Sequence, residues 1–272
     1  MIRTLLIGSF LAIGLVPGAG AAAADPACPR PLTVAISPLG RDMEIGQDGS
    51  VSGTTVEILK KVEQRTGCPL EFREMPRIRA WHLYVHDEID IVPSAIRTPE
   101  RDEIGFFVPW ICDLLALVTL KEQNIHIRSV ADLIQSPIIV DVVRGFDFGP
   151  DYQRLLSDEV QAGHIRFAAD VEQAVAKLAH GRTQGLLATV DTIIDPARKY
   201  GIEDRLDIVF LDGIPPVVSG IYLRKSAGNA AEREALLSAL SAPAVADDYR
   251  RLTLSSFDDS RFIRPGFFTC KP

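Results

Sequence analysis

Beyond residue 24 the 272-residue chain contains no long apolar run. A membrane-spanning helix needs about 20 such residues, so no span is expected in the body of the protein. The 29 basic residues are scattered among 36 acidic ones, giving a net charge of −7. Without a Lys/Arg cluster, nucleic acid and anionic membrane are poor partners. Low-complexity segments and internal repeats are absent, which excludes linkers and solenoids. No CxxC or CxxxH spacing suggests zinc or a redox pair, and no GxSxG, phosphate-binding loop or Cys/His nucleophile pattern suggests catalysis. His82 and His86 have i, i+4 spacing but no HExxH context, and they read as a solvated helix face. No metal and no cofactor are expected.

What is present begins with a secretory signal. Arg3 supplies a positive start, Leu5 to Val16 form a short apolar run, and Pro17, Gly18 and Gly20 break it ahead of Ala22-Ala23-Ala24. Cleavage is expected after Ala24, making residues 1–24 a signal peptide and the mature protein soluble and periplasmic. Asp25-Pro26-Ala27 before Cys28 does not suit lipid attachment. The four cysteines, Cys28, Cys68, Cys112 and Cys270, are then expected to form disulfides, for which three connectivities exist. Cys28 precedes the first strand-like run and Cys68 the second, and such starts can be neighbours in a parallel sheet. A Cys28–Cys68 bridge is therefore expected, leaving Cys112 and Cys270 to pair.

Strand-like runs alternate with helical periodicity. Leu32–Ser37, Leu70–Met75 and Ile89–Ala95 read as strands, separated by an apolar stripe on Val56, Leu59 and Val62 and a face of Ile78, Trp81, Tyr84 and Val85. This βαβαβ order implies a mostly parallel sheet flanked by helices. A second α/β unit runs through strands at Ile138–Val143, Ile165–Ala169, Gly185–Val190 and Leu206–Leu211. Two longer β-rich runs, Phe106–Leu120 and Pro216–Arg224, bracket it, so the chain is expected to leave the first lobe and return by two hinge crossings. The expected lobes are 25–113 and 216–272 for the first and 114–215 for the second.

The order Gly53-Thr54-Thr55-Val56-Glu57-Ile58-Leu59, Glu88-Ile89-Asp90-Ile91, Thr98-Pro99-Glu100-Arg101 and Phe107-Val108-Pro109-Trp110 resembles the extracellular solute-binding family 3. The resemblance continues through Gly181-Arg182 and Gly220-Ile221-Tyr222-Leu223 and covers nearly the whole mature chain. It implies a two-lobed type II periplasmic binding fold, a monomer that closes on a small ligand and delivers it to the membrane subunits of an ABC importer. It also implies that Arg101, in the Thr-x-x-Arg position, grips a ligand carboxylate. The chemistry agrees, because a guanidinium presents paired N–H donors in one plane. By itself, Thr98-Pro99-Glu100-Arg101 also reads as a capped surface turn.

Further site residues follow by position. Ser94 ends the third strand, where relatives place a ligand-binding group, but Ile96 stands where another hydroxyl is expected. In the second lobe the family's Gly-Ser-Thr is Gly145-Phe146-Asp147 here, and its ammonium-binding Asp aligns with Thr189, with Asp191 two residues on. Asp147 is the candidate replacement for that anionic partner, or else a turn residue ahead of Pro150. Arg77 falls where relatives carry a stacking aromatic and is either a second cationic contact or a surface charge. Trp81 is expected in the core. Two alternatives share the fold: a dehydratase acting on prephenate- or arogenate-like acids, with Asp147 as proton donor, and a periplasmic sensor or accessory binding protein.

Overall fold

The structure, a computed structural model, describes residues 28–255 and Phe257. The expected signal peptide and Cys270 lie outside the described residues. Element order along the chain is β1 (Leu32–Ile36), the short hairpin β2 (Glu44–Ile45) and β3 (Val51–Ser52), α1 (Thr54–Thr66), β4 (Leu70–Glu74), α2 (Arg77–Val85), β5 (Ile91–Ile96), α3 (Pro99–Ile104) and β6 (Gly105–Asp113). Then come β7 (Ala116–Leu120), α4 (Val130–Gln135), β8 (Val140–Val143), α5 (Pro150–Ala162), β9 (Ile165–Ala168), α6 (Val171–Ala179), β10 (Gly185–Ala188), α7 (Val190–Lys199) and β11 (Leu206–Phe210). The chain ends its described part with β12 (Val217–Arg224), α8 (Ala230–Leu240) and α9 (Pro243–Ser255).

These strands build two five-stranded sheets, one per lobe, in the orders β4-β1-β5-β12-β6 and β11-β7-β10-β8-β9. In the first, β4, β1 and β5 are parallel, and β12 lies antiparallel between β5 and β6. In the second, β10, β8 and β9 are parallel, while β7 and β11 are antiparallel. The inner parallel strands are short and apolar, as burial on both faces requires: Leu32–Ile36 and Gly185–Ala188 are buried at every position, whereas the edge strand β4 carries Glu71, Arg73 and Glu74.

Three details depart from the pattern read in the sequence. Phe106–Leu120 is not one run but two strands in different sheets, β6 and β7, separated at residues 114–115. The strand expected through Val190 stops at Ala188, because Thr189 is the N-cap of α7 and Val190 its first helical residue. Helix α2 is also rotated from its expected face: Arg77, Ala80 and Tyr84 are buried, while Ile78 and Val85 are 52% and 57% exposed. The guanidinium of Arg77 donates to the carbonyls of Pro93 and Ser94 on β5, which pins the helix in that orientation.

Cys28 and Cys68 are joined, their Cα atoms 4.7 Å apart. The pairing follows from topology, since β1 and β4 are parallel neighbours with Leu32 opposite Leu70. Cys112 is buried and not free, and its expected partner Cys270 is outside the described residues. Among the described residues no helix is long and apolar enough to cross a membrane.

Candidate functional site

The ends of β5, β6, β8 and β10 face one another across the gap between the sheets, and the loops after them line a cavity of about 50 Å³. Ligands of α/β sheets bind at such carboxyl ends. That volume holds a few water molecules and falls well short of the ~300 Å³ at which ligand pockets begin.

The first wall is cationic and aromatic. Thr98 caps α3, its hydroxyl accepting from the backbone N–H of Arg101, and Pro99 opens the helix. The Arg101 side chain then runs back over the sheet. Its Nη1 donates to Ile96 O at 2.7 Å, and its guanidinium carbon lies 3.7 Å from the ring centroid of Trp81. Burial draws Arg101 below its ordinary pKa, against the pull of Asp147, whose Oδ2 is 4.0 Å from Nη2 across the cleft. At that distance the two are ion-paired without a direct hydrogen bond. Arg77 also lines the cavity, but two of its donors are held by Pro93 and Ser94. Burial, reinforced by the neighbouring charge of Arg101, pushes its pKa down to about 9.

The cavity also has an acidic part. Asp42 follows β1, Asp113 ends β6 beside the crossing, and Asp191 lies in the first turn of α7, and all three line the cavity. Asp42 accepts from the hydroxyls of Thr55 at 2.6 Å, Tyr249 at 2.8 Å and Ser94. Ser94 itself holds φ +49°, a left-handed conformation unusual outside glycine. Asp191 Oδ1 is shut off from solvent and has no hydrogen-bond partner. Burial drives the Asp191 carboxyl up to about 6, Asp42 adding to the effect and a hydrogen bond from Thr189 opposing it. Burial and the charge of Asp191 raise Asp113 well above the carboxylate range. Burial raises the Tyr249 hydroxyl as well, with all three aspartates contributing.

Of the residues singled out in the sequence, Arg101, Ser94, Asp147, Arg77 and Thr189 all line this cavity. Thr98 does not; it acts on Arg101 through the helix cap. Asp147 lines the cleft and also serves as the turn residue, accepting from Gly149 N and Gln153 Nε2 at 3.0 Å each. Trp81, expected in the core, lies beneath both guanidiniums. Sequence reading missed Asp42, Asp113 and Tyr249, which are separated by more than 70 residues in each step along the chain and meet only in the fold.

The lobes touch at two glycines. A Cβ on Gly40 would stand 2.8 Å from Thr192 O, and one on Gly145 would stand 3.0 Å from Ile78 N. Arg41 and Asp195 form an ion pair between the lobes at 2.6 Å, outside the cavity. Gly40 lines no part of the cavity and has φ +54°. Gly40→Ala is therefore expected to obstruct closure without touching a ligand. Left-handed strain costs the fold roughly 1–2 kcal/mol, and pressing on a backbone carbonyl costs the closed form about as much again. Binding should weaken on the order of tenfold, with equal effect on every ligand tried; calorimetry with two different ligands checks this, and a change of selectivity contradicts it.

The family model for bacterial extracellular solute-binding proteins, family 3, matches residues 32–208. An arginine-binding protein from T. maritima is similar at 18% identity and TM-score 0.67, over 84% of this chain and 95% of that one. A histidine kinase sensor domain with similarity to periplasmic binding proteins has 15% identity and TM-score 0.69, over 84% and 96%. A substrate-binding protein of an ABC uptake transporter from Streptococcus pneumoniae, with bound histidine, has 15% identity and TM-score 0.67, over 84% and 92%. Among curated proteins, none matches the sequence.

Proposed function

The chain belongs to the bacterial extracellular solute-binding proteins, family 3, and from that premise we propose that it is a periplasmic receptor closing on a small, carboxylate-bearing ligand that also carries positive charge. It works without a cofactor and without catalysis, as a monomer, and passes the ligand to the membrane subunits of an ABC importer. The carrying observation is that one cavity between the lobes is lined by Arg101 together with Asp42, Asp113 and Asp191.

Roles follow from the chemistry. Arg101 is held by Ile96 O and the face of Trp81, so its planar fork is oriented before a ligand carboxylate arrives. Arg77, tied to backbone carbonyls, holds the wall in place and adds long-range positive potential. A positive group on the ligand meets the acidic wall, where Asp191 Oδ1 accepts the bond it lacks. The cleft carries Asp42, Asp113, Asp147 and Asp191 against Arg77 and Arg101, so acidic side chains outnumber basic ones. Basic amino acids fit this balance better than acidic ones, and the arginine-bound relatives in this fold support the same class.

A screen by thermal shift tests the reading. A ligand at 100 times its Kd adds about 2.7 kcal/mol, which should raise the midpoint by roughly 5–10 °C at this size. Basic and neutral amino acids are expected to shift it and dicarboxylic acids not; a response confined to dicarboxylic acids would sink the proposal. A second reading has one observation in its favour. Burial raises the carboxyls of Asp113 and Asp191 above their ordinary range, the direction a dehydratase acid needs. Turnover of prephenate or arogenate by the purified protein would establish that reading instead.

A further inference from the structure

The acidic wall is divided between the moving parts. Asp42 and Asp113 belong to elements of the first lobe, Asp191 to α7 of the second. Closing the cleft therefore drives carboxylates toward one another and out of water at the same time, and both effects oppose ionisation. Every neighbouring element has its contribution. Tyr249 on α9 offers Asp42 a hydroxyl, Ser219 on β12 offers one to Asp113, and Thr189 ahead of α7 offers one to Asp191. The cations of the cleft are committed elsewhere: Arg77 on α2 to Pro93 and Ser94, Arg101 on α3 to Ile96 and Trp81, with Asp147 after β8 facing Arg101. Asp191 Oδ1 has no hydrogen-bond partner, while the carboxylate as a whole is served by Thr189 and by the backbone N–H groups of Asp191 and Thr192. A shut cleft needs either a proton or a ligand cation at that spot.

We propose that the lobes close only when a proton sits on Asp113 or Asp191, or a positive group of the ligand sits among Asp42, Asp113 and Asp191, so that capture of a cation expels a proton. This deepens the reading above and rests on its assignment of a positive group to the acidic wall. The sign is specific. Acid favours closure without ligand and competes with the cation, whereas mild alkali opens the unliganded protein and strengthens capture. Burial raises the Asp191 carboxyl to about 6, and burial with the charge of Asp191 raises that of Asp113.

Small-angle X-ray scattering on the mature, ligand-free protein decides it. The radius of gyration is expected to be smaller at pH 5 than at pH 8, changing around pH 6. Asp191→Asn and Asp113→Asn, each checked by its melting curve, should stay compact at pH 8. A wild type equally compact at both values overturns the proposal. So does an Asp191→Asn protein that expands like wild type, because other groups would then drive the change. At pH 8, methylammonium chloride should restore the compact form where sodium chloride at equal ionic strength does not. If the pH response is present but methylammonium is inert, the proton gate stands, and what fails is the placement of a ligand cation at this wall.

Discussion

Arg101→Ala is expected to weaken binding of a carboxylate ligand at least about a hundredfold. Hydrogen bonds to a charged group are worth about 1.5–3 kcal/mol each, and a guanidinium makes two to a carboxylate; each 1.4 kcal/mol is about tenfold in Kd. Arg101→Lys should recover only part of the loss, since an ammonium lacks the planar fork and stacks less well on Trp81. The structure adds a consequence that the sequence alone did not suggest. Arg101 is anchored to Ile96 O and to Trp81, so its removal also costs the unliganded fold about 1–2 kcal/mol. A fall of a few degrees in the melting midpoint should therefore accompany the loss of binding. Titration calorimetry beside melting curves separates the two. Wild-type affinity in Arg101→Ala would remove the carboxylate from this wall.

The second large effect concerns the bridge between Cys28 and Cys68, which closes a loop with a sequence separation of 40. In the chain-entropy account such a loop contributes about 4 kcal/mol. The paired variant Cys28→Ser/Cys68→Ser should therefore melt roughly 8–16 °C lower, at 2–4 °C per kcal/mol. Both sulfurs are buried between the starts of β1 and β4, so the serines additionally leave two hydroxyls in an apolar place. Ligand affinity should not change, because neither cysteine lines the cleft. A variant with the wild-type midpoint would mean that the register of β1 and β4 alone holds this edge.

That bridge was legible in the sequence for a physical reason. Parallel strands separated by one helix lie side by side, and residues just before each strand meet at the same end of the sheet. Arg101 was legible because Thr98 and Pro99 set its helix immediately after a buried strand. The acidic wall was not. Asp42 sits in Gly40-Arg41-Asp42, which has the composition of any solvated loop, and Asp113 ends a strand whose change of sheet two residues later leaves no mark on the hydrophobic pattern. Trp81 was misplaced through Ile78: their i, i+3 spacing suggested a common buried face, but the anchoring of Arg77 turns Ile78 outward and Trp81 toward the cleft. Periodicity reports which residues share a side of a helix. It does not report which side a buried arginine will claim.

The position of β12 has a consequence for the order in which the protein can assemble. The second sheet is built from strands between residues 116 and 210 and can complete itself as soon as that stretch is available. The first sheet cannot, because its penultimate strand, β12, wedges between β5 and β6, which do not pair with each other. A chain threaded through a pore amino end first would thus carry its opening third as an unfinished sheet until residue 224 emerges. Long-range pairing of this kind is slow to form. The strand that arrives last acts as a keystone: it joins the segment before residue 114 and the segment after residue 216 in one sheet.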